Sequence, residues 1–146
     1  MKSELKIFCT TNYFVLWLGL EKPSTWYKDF TCIVDADHHG KIYRFEIFVY
    51  EENKINYALI QKQFSSDAMI TANDDGLVYI TLRPGLEKRG SGFGRSADIG
   101  ISTEGNLSAV QFLWNELGAS IPSVDPMLAL DGLSYVENSP PFDLSV

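Results

Sequence analysis

Short runs in which apolar and polar residues alternate dominate the first hundred positions, with turn-forming residues between them. Leu5, Ile7 and Cys9 share one face of an extended segment over residues 5–10. Thr11 and Asn12 interrupt it, and a largely apolar segment over 13–18 follows, which predicts a first hairpin. Beyond Pro23 and Ser24, residues 30–37 and 41–51 form a second candidate pair around His38, His39 and Gly40. Along the second member, Tyr43, Phe45, Ile47 and Val49 make the expected core face, opposite Ile42, Arg44, Glu46, Phe48 and Tyr50. Residues 68–72 and 77–83 flank Asn73-Asp74-Asp75-Gly76, where Asp-Gly supplies the positive φ that a tight hairpin turn demands. A further short strand is expected over 98–102, and residues 54–64, which suit either a short helix or a strand, are read as a strand.

A helix is predicted over residues 104–117. Ser102 and Thr103 offer a capping hydroxyl, Leu107, Val110, Trp114 and Leu117 recur at helical spacing with Leu113 widening the stripe, and Gly118 ends the run. Residues 119–146 hold four prolines and no period of either kind. They also carry enough leucine and aromatic side chains to be too apolar for a disordered tail, so this segment is expected to wrap the domain. The fold class that follows is α+β: a mainly antiparallel, meandering β-sheet over residues 1–102, one amphipathic helix covering it, and an irregular C-terminal segment. A chain of 146 residues fits one domain and buries enough surface to need neither disulfides nor a structural metal.

Charge narrows the partners. With 12 Lys+Arg against 19 Asp+Glu, the net charge of −7 works against nonspecific attraction to nucleic acid or an anionic membrane. No run reaches the ~20 apolar residues of a membrane helix, and the stretch 13–20 lacks the flanks of a signal peptide, so a cytoplasmic protein is expected. Cys9 and Cys32 lie among apolar and β-branched neighbours and read as reduced core thiols, a bridge between them being the alternative.

The chemistry-bearing patterns are sparse. Asp35, Asp37, His38 and His39 could ligate a divalent metal, but adjacent histidines ahead of Gly40 suit a polar turn equally. No serine sits in a Gly-x-Ser-x-Gly elbow, no spacing singles out a carboxylate pair, and no cofactor is called for. The stretch 84–95, with Lys88, Arg89 and Arg95 among glycines, matches no phosphate-binding pattern and is read as a charged connector. What remains is an asymmetry. Residues 1–73 carry eight Lys+Arg and nine Asp+Glu, residues 74–146 carry four and ten, and residues 120–146 have no Lys or Arg at all. In that last stretch Asp125, Asp131, Glu137 and Asp143 are interleaved with Tyr135 and Phe142, a composition that complements a cationic protein surface; the Asp74-Asp75 turn adds to the field.

A small acidic, aromatic-rich domain with a meandering sheet and an acidic apolar segment, Asp125 to Asp143 with Asp74 and Asp75, resembles the immunity proteins of contact-dependent and other polymorphic toxin systems. The resemblance lies in the character of the whole chain and carries no diagnostic motif. It implies a non-enzymatic inhibitor, monomeric or weakly dimeric, that occludes a cognate toxin domain, often a basic one such as a nuclease. The alternatives are a small metal- or ligand-binding domain or enzyme built on Asp35, Asp37, His38 and His39, and a structural subunit of an oligomer.

Overall fold

The structure, a computed structural model, describes residues 5–10, 13–19, 21–49, 55–83, 91–113 and 130–146. In chain order the elements are β1 (Lys6–Cys9), β2 (Tyr13–Trp17), β3 (Thr25–Ala36), β4 (Ile42–Phe48), α1 (Tyr57–Gln63), β5 (Ile70–Ala72), β6 (Leu77–Thr81), β7 (Ser91–Ile101) and β8 (Leu107–Leu113). The strands form one curled antiparallel sheet in the order β1-β2-β8-β7-β3-β4-β6-β5. Four hairpins make it up. The expected β1–β2, β3–β4 and β5–β6 pairs form, with Gly40 and Gly76 at positive φ in two of the turns. The fourth, β7–β8, inserts between β2 and β3.

The main core lies on one face. Ile7, Phe14, Leu16, Val34, Phe45, Ile47, Val78, Ile80, Ile99, Val110 and Phe112 all belong to it, and the rings of Phe14, Phe45 and Phe112 meet at centroid separations of 5.0–6.1 Å. Cys9 and Cys32 are buried in the same cluster with no disulfide between them, and burial, with the charges of Asp35 and Glu46, pushes the Cys32 thiol up.

The helix is at 57–63, where a strand was expected. Asn56 caps it by accepting a hydrogen bond from the Leu59 N–H (3.2 Å), and Tyr57, Ile60 and Phe64 fall at i, i+3 and i+7 and pack against the core. The Gln63 amide holds the helix to β8 by bonding both the N–H and the C=O of Leu107.

Residues 107–113 are strand, not helix. β8 lies between β2 and β7 and is buried on both faces, so its apolar residues show no alternation. A register shift at Gly100/Ile101 pairs Ile101 with Leu107 and Gly100 with Ala109, which puts both Leu107 and Val110 in the core at a three-residue spacing that mimics a helix. Ser102 does satisfy a backbone N–H with its hydroxyl, but that of Asn106 (3.2 Å), closing the β7–β8 turn in which Gly105 has φ +88. The remainder of the expected helix, 114–117, lies outside the described residues.

Two further readings are corrected. Asp35 pairs with Arg44 but Ala36 with Ile42, so Tyr43 is an extra residue in β4; Ile42 enters the core cluster and Tyr43, although buried, does not. Residues 91–95 are strand β7 rather than connector. Gly92 there is a packing accommodation, since a Cβ on it would stand 2.9 Å from Ile33 Cγ2 and 3.0 Å from Asp35 Oδ1. Lys88 and Arg89 lie outside the described residues.

The opposite face of the sheet is half covered by the C-terminal segment. Val136 bonds β1 on its open edge, accepting from the Cys9 N–H (2.8 Å) and donating to the Ile7 carbonyl (2.9 Å). Phe142 and Leu144 then cover Phe8, Val15, Trp17 and Ala109. The segment ends at Ser145, whose N–H and C=O are both taken by the Gln111 side chain (2.9 and 3.1 Å). It thus crosses β1, β2 and β8 as a strap.

Candidate partner-binding surface

The strap carries two carboxylates at its two ends, Glu137 beside the β1 edge and Asp143 beside Trp26 of β3. Glu137 and Asp143 are exposed, and the Asp143 carbonyl accepts from the Trp26 indole N–H (3.0 Å), fixing that part of the strap to β3. Trp26 in turn lies over Gly100, where a Cβ would come within 3.2 Å of the ring. Phe142 is an internal anchor, its ring edge-on to Trp17 at 5.2 Å and 74°. Tyr135 packs against the main core. Both aromatic rings therefore hold the strap down and leave the carboxylates to face outward.

Next to the end of the strap is a cavity of about 360 Å³ whose charged lining residues were not singled out from the sequence. It exists because of a bulge in β3. Tyr27 pairs with Ile99 and Phe30 with Ala97, so Lys28 and Asp29 together stand against the single Asp98. Asp29 takes φ +64, a left-handed conformation that Asp tolerates better than most residues. Asp98 accepts from the Asp29 N–H (3.2 Å) and the Ser145 hydroxyl (2.7 Å), and the Lys28 ammonium lies 3.7 Å from it. Ser96 donates to the Asp29 carboxylate (3.3 Å). The sequence signal for this site is Lys28-Asp29 itself, two charged residues between Tyr27 and Phe30 that break the strand's alternation.

The remaining candidate residues lie elsewhere. Asp131 is bound in cis by Lys41 (3.0 Å), whose ammonium holds its carboxyl below the usual range. Asp74 accepts from the Gln61 amide (3.0 Å), and Tyr57 donates to the carbonyls of Asn73 and Leu77. Burial, with the nearby charges of Asp75 and Asp74, pushes the Tyr57 hydroxyl to about 12. The Asp74-Asp75 turn is thereby tied to the helix at the β5–β6 edge, the opposite end of the strand order from the strap. Asp125 lies outside the described residues.

The four residues considered for a metal do not converge. Asp35 faces Arg44 (3.0 Å), whereas Asp37 closes the β3–β4 turn, accepting from the N–H groups of His39 (2.8 Å) and Lys41 (2.9 Å). Burial raises the Asp37 carboxyl, but those two N–H groups and the adjacent imidazoles outweigh it and hold it below its ordinary range. His38 and His39 pack ring on ring at 4.0 Å. Among the described residues no three His, Cys, Asp or Glu side chains are placed to share a metal ion. The histidines also follow the far end of β3 from Asp29; at about 3.3 Å per residue the distance is roughly 25 Å, too far to exchange a proton with the cavity.

A second charged group lies on the half of the outer face that the strap does not reach. Arg44 reaches Asp35 (3.0 Å) and Glu46 (3.6 Å) and lies 5.3 Å from the Tyr79 ring centroid. Burial, a hydrogen bond with Asp35 and the Asp35 charge push the Glu46 carboxyl from its ordinary 4.5 to about 7, against the opposing pull of Arg44.

Among the described residues no helix is long and apolar enough to cross a membrane. Comparison of the chain with protein-family models, with curated proteins and with solved structures finds no match.

Proposed function

We propose that the chain is an immunity-type protein: a cytoplasmic, non-enzymatic inhibitor that binds a basic toxin domain, for example a nuclease, and blocks its active site. The observation that carries this reading is the pair of carboxylates Asp29 and Asp98 at the cavity, with Asp143 and Glu137 exposed on the strap that ends beside it. These carboxylates are presented on rigid strands and on a segment pinned by Trp17, Trp26 and Gln111. Fixed carboxylates around a concavity accelerate encounter with a cationic surface and set the register of docking. Because the aromatic side chains of the strap are engaged internally, recognition on this face is electrostatic first, and the apolar contacts are left to the partner.

The test is inhibition. Purified basic toxin domains of contact-dependent systems are assayed for activity with and without one molar equivalent of the chain, and binding is followed by calorimetry. The expected result is one domain bound at 1:1 and silenced, with affinity falling as salt rises. A domain that is bound at this face and keeps its full activity would overturn the inhibitor reading.

A further inference from the structure

The cavity at the β3 bulge has a chemistry of its own. Its volume of about 360 Å³ is at the small end of the range for ligand pockets, room for one side chain or a small molecule. The walls differ in kind: Tyr13, which packs on the outer-face apolar cluster, contributes apolar surface, and Asp29, Ser96 and Asp98 contribute oxygens. A ligand that matches has an apolar stem and a single positive end. The molecule already places such a group there. The Lys28 ammonium stands 3.7 Å from Asp98, near the outer limit of an ion pair, with its side chain about half exposed (48%). An exposed pair at that distance contributes little, so the resident ammonium is displaceable. Asp29 is a second carboxylate at the same cavity, held there by its left-handed backbone and by the Ser96 hydroxyl.

We propose that this cavity receives one lysine side chain of a protein partner, whose ammonium takes the place that Lys28 holds against Asp98 while its stem lies along Tyr13. The proposal rests on the reading of the chain as a binder of a cationic protein, and it names the residue type that the partner must present. Lysine fits better than arginine because its charge is compact, sits at the end of a slender apolar stem, and matches a site that already accommodates a lysine.

The experiment uses the whole chain and a probe that contains no toxin. Nα-acetyl-lysine methylamide is titrated into the ¹⁵N-labelled protein, with the norleucine analogue, which has the stem without the charge, as comparison. Saturable shifts are expected at the amides of Asp29, Ser96 and Asp98, with a dissociation constant in the millimolar range, on the order of what one screened ion pair with a short apolar contact supplies. Lys28→Met removes the competing ammonium and should tighten the probe three- to tenfold, a gain that a purely structural ion pair would not give. Asp29→Asn keeps a residue that tolerates the left-handed backbone and should weaken the probe at least threefold. Equal shifts with norleucine, no saturable shift at these amides, or no tightening in Lys28→Met would overturn the proposal. Such a failure would leave inhibition of a toxin domain untouched. Conversely, an intact lysine site in a chain that silences no basic domain would count against the inhibitor reading alone.

Discussion

Phe45→Ala is expected to destabilise the protein by about 3–5 kcal/mol, the cost of removing a buried phenylalanine and leaving part of its volume empty. Phe45 is fully buried in the middle of the sheet, 5.0 Å from the Phe112 ring centroid and 5.7 Å from that of Phe14. Those two partners come from β8 and β2, and they bring together strands far apart in the chain. Truncation therefore removes the contact that ties the β3–β4 hairpin to the β2–β8 pair across the core. A domain with typical net stability of 5–15 kcal/mol would lose a large share of it. Urea unfolding measures the effect, with Phe45→Leu as the comparison that retains most of the volume and should cost less than about 1.5 kcal/mol. A loss below about 1 kcal/mol in Phe45→Ala would mean that the three rings do not form the centre of the core.

The second large effect is a pH dependence located at Glu46. Its carboxyl titrates near 7 in the folded protein against an ordinary 4.5, so between these values the folded state binds a proton that the unfolded state has released. Stability from this group is fully present below about 4.5, declines as pH rises through about 7, and is flat above. The side chain is 17% exposed and shares Arg44 with Asp35, so the loss from pH 5 to pH 8 is on the order of 1–3 kcal/mol. Glu46→Gln keeps a neutral group of the same shape and should remove that decline. The difference between the two unfolding free energies, measured from pH 4.5 to 8.5, is expected to rise in favour of the variant between about 4.5 and 7 and to level off above 7. Parallel profiles would show that Glu46 is charged throughout.

Much of the sheet was legible because its outer hairpins obey simple alternation. β1 sends Ile7 and Cys9, and β6 sends Val78 and Ile80, to the main core, and the Asp-Gly turn forms as its chemistry requires. What escaped the pattern has three physical causes. A strand buried on both faces has no alternation to read, which is how β8 passed for a helix. Bulges reset the phase, at Tyr43 so that Ile42 turns inward and at Gly100/Ile101 so that Leu107 and Val110 share a face. A seven-residue helix is short enough that its Asn56 cap and three core contacts compete poorly with neighbouring strand signals.

The candidate surface was partly legible for the same reasons. The absence of Lys and Arg from residues 120–146 pointed to the strap, and the structure presents Glu137 and Asp143 on it. Composition could not tell that Phe142 anchors the strap to Trp17, nor that Asp131 is engaged by Lys41. The cavity depends on Lys28, Asp29 and Asp98, which are 70 positions apart at their extremes and meet only because β3 pairs with β7 around a bulge. No local window contains that information.

The proposed docking face for a cationic protein is made by the carboxylates of the strap and cavity. The most direct test is the dissociation constant of the inhibited complex for the native chain and for the double variant Glu137→Lys, Asp143→Lys, each measured across a range of salt. Both side chains are exposed, so the variant should unfold at an unchanged temperature, while its binding should weaken at least tenfold at low salt and converge on the native value as salt rises. Equal affinity of the two proteins at every salt concentration would overturn the proposed face and place docking elsewhere on the molecule.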